Sequence, residues 1–369
     1  MISTRANKNL SPALVLAALV LFFLATISFI TPARAQKLKQ LPPPPPAPRY
    51  KPKPTPEPEY EVVRVTSSLV MVPVSVVNAA GQPVMGLKQS DFHVEEDGRT
   101  QEIAQLGDPE QVPVDIALLL DVSASVEARF AFEQKAAADF LRQVLKPGDR
   151  ATIFAIDETP RFVQPLTTAA LASDKLMSIV PGKGYTAFFD SVLAAEKYLD
   201  QSSSQGRRRL IVVISDGDDT ARILDVSARQ SRNGELQLMG TAAQLQFIQR
   251  AQTDVLREVQ RAEITFYSIN PSGQTMHLNV RVARSEEGME RIAQATGGSA
   301  FIPKNDADLD NIFRRIGSEI RSQYLIQYYS NNQAAGHAFR KIAVTTPNQT
   351  QLHVRAREGY YPKSQKPDR

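Results

Sequence analysis

Between Pro113 and Ser322, short apolar runs alternate with longer stretches of helical period, and this alternation narrows the possible folds more than any other feature. Ile116 to Leu120, Ala151 to Ile156, Leu210 to Ile214 and Ile264 to Ile269 are short, apolar and rich in β-branched residues, as buried strands are. Glu127 to Leu145, Phe189 to Leu199, Ala242 to Arg261 and Leu309 to Arg321 repeat their apolar residues every three to four positions, as helices do. A strand that is apolar on both faces needs cover on both faces, so strand, helix, strand repetition implies a mainly parallel sheet between two helical layers. The expectation is a doubly wound, Rossmann-like α/β domain over 112–322.

The flanks differ. From Glu61 to Leu106, residues such as Val62, Val65, Val70, Val72, Val74 and Val76 favour strands, with turn signals at Asn78 to Pro83 and Asp97-Gly98. After Ser322 the same character returns in Tyr324 to Tyr329, Arg340 to Thr345 and Gln351 to Arg357, which predicts three strands and two turns. A lone hairpin or meander is marginal in water, so 61–111 and 323–361 are expected to pack together as a small β-sandwich module, leaving 362–369 as a tail.

At the start of the chain, Arg5 and Lys8 precede an uncharged, largely apolar run from Ala13 to Ile30, and Ala33-Arg34-Ala35 has the spacing of a cleavage site. Residues 1–35 therefore read as a signal peptide cut before Gln36. The exported protein is expected in the periplasm, the cell envelope or the medium, with an uncleaved membrane anchor as the alternative. Residues 36–60 form a proline-rich linker, with Pro42 to Pro46 consecutive, whose composition suits a stiff spacer. The three cations in 1–35 account for most of the formal charge, so their removal lowers +4 to +1 and argues against nucleic acid as a partner. With no cysteine in the chain, disulfides, thiolate metal sites and thiol catalysis are excluded.

Chemistry is concentrated where strands end. Asp121-Val122-Ser123-Ala124-Ser125 places three oxygen-bearing side chains at alternate positions as the first strand leaves the sheet. Thr186 lies in the glycine-rich stretch Gly182-Lys183-Gly184-Tyr185-Thr186 before a helix, and Asp216 follows the strand Leu210 to Ile214. In open parallel sheets such carboxyl ends border a crevice, so these side chains can converge there. A set of hydroxyls and carboxylates without His or Cys suits Mg²⁺, Mn²⁺ or Ca²⁺ better than zinc or copper.

Through these residues the chain resembles the von Willebrand factor type A family, whose metal-ion-dependent adhesion site reads D-x-S-x-S, then T, then D. Thr186-Ala187-Phe188-Phe189-Asp190 and Ile214-Ser215-Asp216-Gly217 are similar to the family's flanking segments. The resemblance implies that Ser123 and Ser125 bind the metal directly, that Thr186 joins with ligand state, and that Asp121 and Asp216 act mostly through water. It implies, too, that a protein partner supplies an acidic side chain to the remaining position, which makes adhesion rather than catalysis the expected role. Asp91 to Gly98 and Arg355 to Tyr361 resemble flanking elements of a secreted subfamily frequent in Acidobacteria. Tyr185 departs from the pattern, standing where many relatives carry glycine.

Three other readings start from the same residues. Asp216-Gly217-Asp218-Asp219-Thr220 spells D-x-D-x-T, as in haloacid-dehalogenase-type phosphotransferases, with Asp216 as nucleophile and Asp218 as acid and base. That motif belongs on a first strand, and it leaves Asp121, Ser123 and Ser125 without a role. A serine hydrolase lacks its G-x-S-x-G elbow here, and His93, His277, His337 and His353 fall outside the strand tips. A third reading is a structural envelope protein in which the cation only stiffens the loops. The polar stretch 222–240 is expected to be a surface insertion at the rim.

Overall fold

The computed structural model describes residues 69–123, 129–221, 241–273, 280–332 and 336–362, all within one compact unit spanning Arg64–Arg369. The leader, the whole of the linker, Ser125, the 222–240 insertion, His277 and most of the tail lie outside the described residues.

Six strands make the central sheet: β5 (Val114–Asp121), β6 (Arg150–Ile156), β7 (Pro160–Thr167), β8 (Arg208–Ile214), β9 (Ile264–Ile269) and β10 (Ala300–Phe301). Their order is β10-β9-β8-β5-β6-β7, parallel throughout except for β7, which runs antiparallel to β6 at one edge. All eight residues of β5 are buried, because side chains on both faces enter a core. Ile116, Leu118 and Leu120 pack with α1 (Phe130–Val144), α2 (Ala169–Met177) and α6 (Asp306–Ser322). Ala117 and Leu119 pack on the other side with α3 (Phe188–Ser202), α4 (Thr241–Arg261) and α5 (Val280–Ala295). This is the mixed α/β architecture expected from the alternation of runs.

Four elements of the central domain escaped the sequence reading, β7, α2, α5 and the two-residue β10, and for β7 and α5 the physical reason is plain. Strand β7 carries Pro160 and Pro165 and pairs on one side only, a position that tolerates proline but hides a strand signal. Helix α5 has the charged sequence VRVARSEEGMERIAQA, and only Met289, Ile292 and Ala293 of it join the core.

Two antiparallel four-stranded sheets flank this domain. One has the order β13-β1-β11-β4, from β1 (Leu69–Val77), β4 (Ile103–Gly107), β11 (Tyr324–Tyr329) and β13 (His353–Ala356). The other has the order β14-β12-β2-β3, from β2 (His93–Glu96), β3 (Arg99–Gln101), β12 (Arg340–Thr345) and β14 (Gly359–Tyr360). Chain segments from before and after the central domain thus pair directly, Val72 opposite Ile326 and Val94 opposite Val344. Alternate residues of β1, from Val70 to Val76, enter one core with Phe92, Val94, Tyr328 and Ile342 of both sheets. The C-terminal segment contributes four strands where three were expected, the fourth being the two-residue β14.

Candidate metal centre

Strand pairing brings the first two site segments together. Leu120 of β5 lies opposite Ile214 of β8, so Asp121 at the end of one strand is beside Ser215 and Asp216 at the end of its neighbour. Asp121 is 1% exposed and accepts two hydrogen bonds, from the Ser123 N–H to Oδ1 at 2.9 Å and from the Ser215 hydroxyl to Oδ2 at 2.7 Å. Burial raises its pKa and the nearby Asp216 carboxylate adds to this, against the donors from Ser215 and Ser123. Burial likewise raises Asp216, whose Oδ1 accepts the Asp218 N–H at 3.0 Å. Burial thus disfavours both carboxylates as anions, Asp216 adds to this at Asp121, and Arg281 opposes it at Asp216.

The third segment is tied to both strand ends by main-chain bonds. The Gly182 N–H donates to the Val122 carbonyl at 2.6 Å, which fixes the start of the glycine-rich loop against the end of β5. At its far end the Thr186 N–H donates to the Thr220 hydroxyl at 2.8 Å, and the Ala221 N–H to the Thr186 carbonyl at 3.1 Å. Asp219 accepts the Phe189 N–H at 2.9 Å and so caps the first turn of α3, a helix terminus that favours an anion. Thr186 and Ser123 are buried, whereas Tyr185, the position that departs from the expected pattern, is 55% exposed and turns away from the interior.

Of the five site residues expected from the sequence, Asp121 closes β5, and Ser123, Thr186 and Asp216 lie on loops that hydrogen bonds hold to the same end of the sheet. The fifth, Ser125, lies outside the described residues. No cluster of three or more His, Cys, Asp or Glu suited to a metal occurs among the described residues. A cation here would need hydroxyl oxygens beside the two aspartates, which is the donor set that Ser123 and Thr186 supply. Sequence reasoning passed over Ser215 and Thr220, which hold Asp121 and the threonine loop; each was visible only as a polar neighbour of Asp216. It also passed over Arg281, which pairs with Asp218 at 2.8 Å from the first turn of α5. Burial, with the Asp216 and Asp219 carboxylates, still raises Asp218 to about 6 against the pull of Arg281. Of the histidines, His93 and His353 lie in β2 and β13 of the flanking sheets, away from these strand ends.

Residues 116–218 match the family model of the von Willebrand factor type A domain. No curated protein matches the chain. Among solved structures, a von Willebrand factor type A protein from Catenulispora acidiphila is similar at 13% identity and a TM-score of 0.42, covering 70% of this chain and 51% of its own. The von Willebrand factor domain of the type V pili tip protein Mfa5 from Porphyromonas gingivalis is similar at 14% identity and a TM-score of 0.39, covering 61% of this chain and 98% of its own. Proximal thread matrix protein 1 from the mussel byssus, with a zinc-occupied MIDAS motif, is similar at 13% identity and a TM-score of 0.42, covering 61% of this chain and 49% of its own. This chain therefore spans about half the length of the first and the last of these. The chain is thus similar to the von Willebrand factor type A domain over 116–218, a stretch that runs from β5 to just past the end of β8 in a mainly parallel sheet layered by helices.

Proposed function

We propose that the chain is an exported, non-enzymatic binding protein whose central domain holds one divalent cation on Asp121, Ser123, Ser125, Thr186 and Asp216 and captures an acidic side chain of a partner protein. One observation carries this reading: two buried carboxylates, Asp121 and Asp216, end neighbouring strands with their pKa values raised, and a threonine loop is bonded to the same place. Both oxygens of Asp121 already accept hydrogen bonds, which suits a role through water rather than direct ligation. Ser123 and Thr186 supply hydroxyl oxygen at the same strand ends. When bound, the cation supplies a Lewis-acidic position for a partner carboxylate oxygen. The oxygen donor set favours Mg²⁺, Mn²⁺ or Ca²⁺. The zinc named for the mussel protein makes zinc a necessary arm of any titration.

Calorimetric titration of the chain with Mg²⁺, Mn²⁺, Ca²⁺ and Zn²⁺, beside Asp121→Ala, tests the site; uptake by the wild type and loss in the variant are expected. Capture from an envelope extract with and without EDTA tests the role. An adhesive cation makes the captured species disappear with EDTA and with Asp121→Ala, whereas a purely structural cation changes the melting temperature and leaves capture intact. The phosphotransferase reading predicts turnover of a generic aryl phosphate with Mg²⁺, abolished by Asp218→Asn. We expect no turnover, since Asp218 is held by Arg281 rather than presented to a substrate. The place of action outside the cytoplasm rests on the leader and is tested by N-terminal sequencing of exported material. No helix among the described residues is long and apolar enough to cross a membrane.

A further inference from the structure

At the other end of the central strands lies a cavity of about 360 Å³, bounded by the first residues of β8 and β9 and by the outward face of β1. One wall is apolar. Val70, Val72 and Val74 of β1 point into the sandwich core, so the intervening Leu69, Met71 and Pro73 face the cavity. The facing wall carries Arg207, Arg208, Arg209 and Arg357.

These arginines are not equally satisfied. Arg207 pairs with Asp115 at 2.8 Å, Arg209 with Asp200 at 2.7 Å, and Arg357 through Nη1 with Glu263 at 3.0 Å. Arg208 has no carboxylate partner among the described residues. Its terminal N–H groups donate to the carbonyls of Pro109, Val112 and Ile320 and to Gln323, and burial lowers its pKa to about 10. The Nε of Arg208, and both Nε and Nη2 of Arg357, are buried without a hydrogen-bond partner. Nε and Nη2 together form the planar fork with which a guanidinium grips a carboxylate. Elsewhere in this chain that fork is used: Arg150 holds both oxygens of Asp115 with Nε at 3.0 Å and Nη2 at 2.7 Å.

We propose that this cavity is a second binding site, for a small organic carboxylate that takes the fork of Arg357 and lays its apolar body along Leu69, Met71 and Pro73. The Nη1 contact with Glu263 and the Tyr360 ring 5.4 Å from Cζ anchor the guanidinium, and ligand binding turns the fork, buried in the unliganded chain, toward the cavity. Three of the four arginines face an acid already, so the surplus positive charge is small and fits a monoanion better than a phosphate dianion. The volume lies at the lower end of the range for ligand pockets and limits the ligand to a small one.

The site is tested by titrating the full chain, in EDTA to silence the cation site, with hexanoate, hexanol, hexylamine and inorganic phosphate. Hexanoate is expected to bind at least tenfold more tightly than the other three. Arg357→Gln is expected to lower hexanoate affinity at least tenfold. Should that variant fail to fold, Met71→Glu, which sets a like charge on the apolar wall, is expected to give the same loss. Asp121→Ala is expected to leave hexanoate affinity within twofold of the wild type. Absence of hexanoate binding, phosphate binding as tight as hexanoate, or unchanged hexanoate affinity in a folded Arg357→Gln or Met71→Glu protein would overturn the proposal.

Discussion

The Ser215 hydroxyl donates to Asp121 Oδ2 at 2.7 Å, joining the end of β8 to the end of β5 where both strands hand the chain to a loop. The same oxygen of Ser215 accepts the Gly217 N–H at 3.0 Å, so one small side chain orients a carboxylate and the backbone of the following turn. Ser215→Ala should cost about 1–3 kcal/mol of stability, because a buried carboxylate loses a donor that water cannot replace. It should also weaken Mg²⁺ binding by about 10-fold or more, as loss of an orienting partner does. Denaturant unfolding and calorimetry read the two effects separately; a variant equal to wild type in both would show that Asp121 is oriented by other means.

Gly217 sits between Asp216 and Asp218 with φ +76°, a conformation that L side chains rarely adopt. A Cβ there would meet Met289 Sδ at 2.8 Å, a contact the flexible methionine can relieve, so backbone strain decides the outcome. Gly217→Ala is therefore expected to cost about 1–3 kcal/mol and to lower cation affinity by moving Asp216. Thermal unfolding with and without Mg²⁺ measures both, and an unchanged midpoint in each condition would refute the strain argument.

Asp115 is fully buried at the start of β5 and is held by Arg150 and Arg207. Burial opposes its charge, but the bonds from Arg150 and Arg207 prevail and lower its pKa below 3.8. A carboxylate with a lowered native pKa contributes stability that is present above its unfolded pKa and lost as pH falls through the native one. Asp115→Ala should destabilise the protein by on the order of 3 kcal/mol at pH 7, since two guanidinium groups lose their buried partner. The gap between variant and wild type should narrow below about pH 4. A gap independent of pH would assign the effect to packing instead.

Glu196 on α3 behaves in the opposite sense. Burial, with Asp200 and Glu258 nearby, raises its pKa to about 7. The native state then binds a proton that the unfolded chain has released, so stability falls as pH rises from about 4.5 to about 7. Glu196→Gln should raise stability at pH 8 by on the order of 1 kcal/mol, after allowance for solvent screening at a partly exposed site. It should change little at pH 4. Melting temperatures across this range decide the point, and a larger effect at pH 4 than at pH 8 would reverse the assignment.

Much of the central domain was legible because its signal is local. The apolar runs of β5, β6, β8 and β9 are apolar on both faces, and α1, α3, α4 and α6 carry a face of fixed period, so each announces itself within its own segment. Asp121, Ser123, Thr186 and Asp216 were legible for the same reason: each stands at the end of a strand or before a helix that could be read. Strand β7 and helix α5 were not, because an edge strand with two prolines and a helix with one narrow buried stripe owe their form to the neighbours they lie against.

Tertiary structure alone decided what closes around those elements. That Val94 lies opposite Val344, and Val72 opposite Ile326, depends on pairing across the whole central domain, which no local pattern encodes. The same holds for the serine that orients Asp121, the arginine that holds Asp218, and the cavity where an unpaired guanidinium edge meets the outer face of β1. Composition and period dictate which way a side chain faces within its own element, because that follows from backbone geometry. Which distant group it meets is set by how the elements pack, and there the charge and hydrogen bonding of each site are fixed.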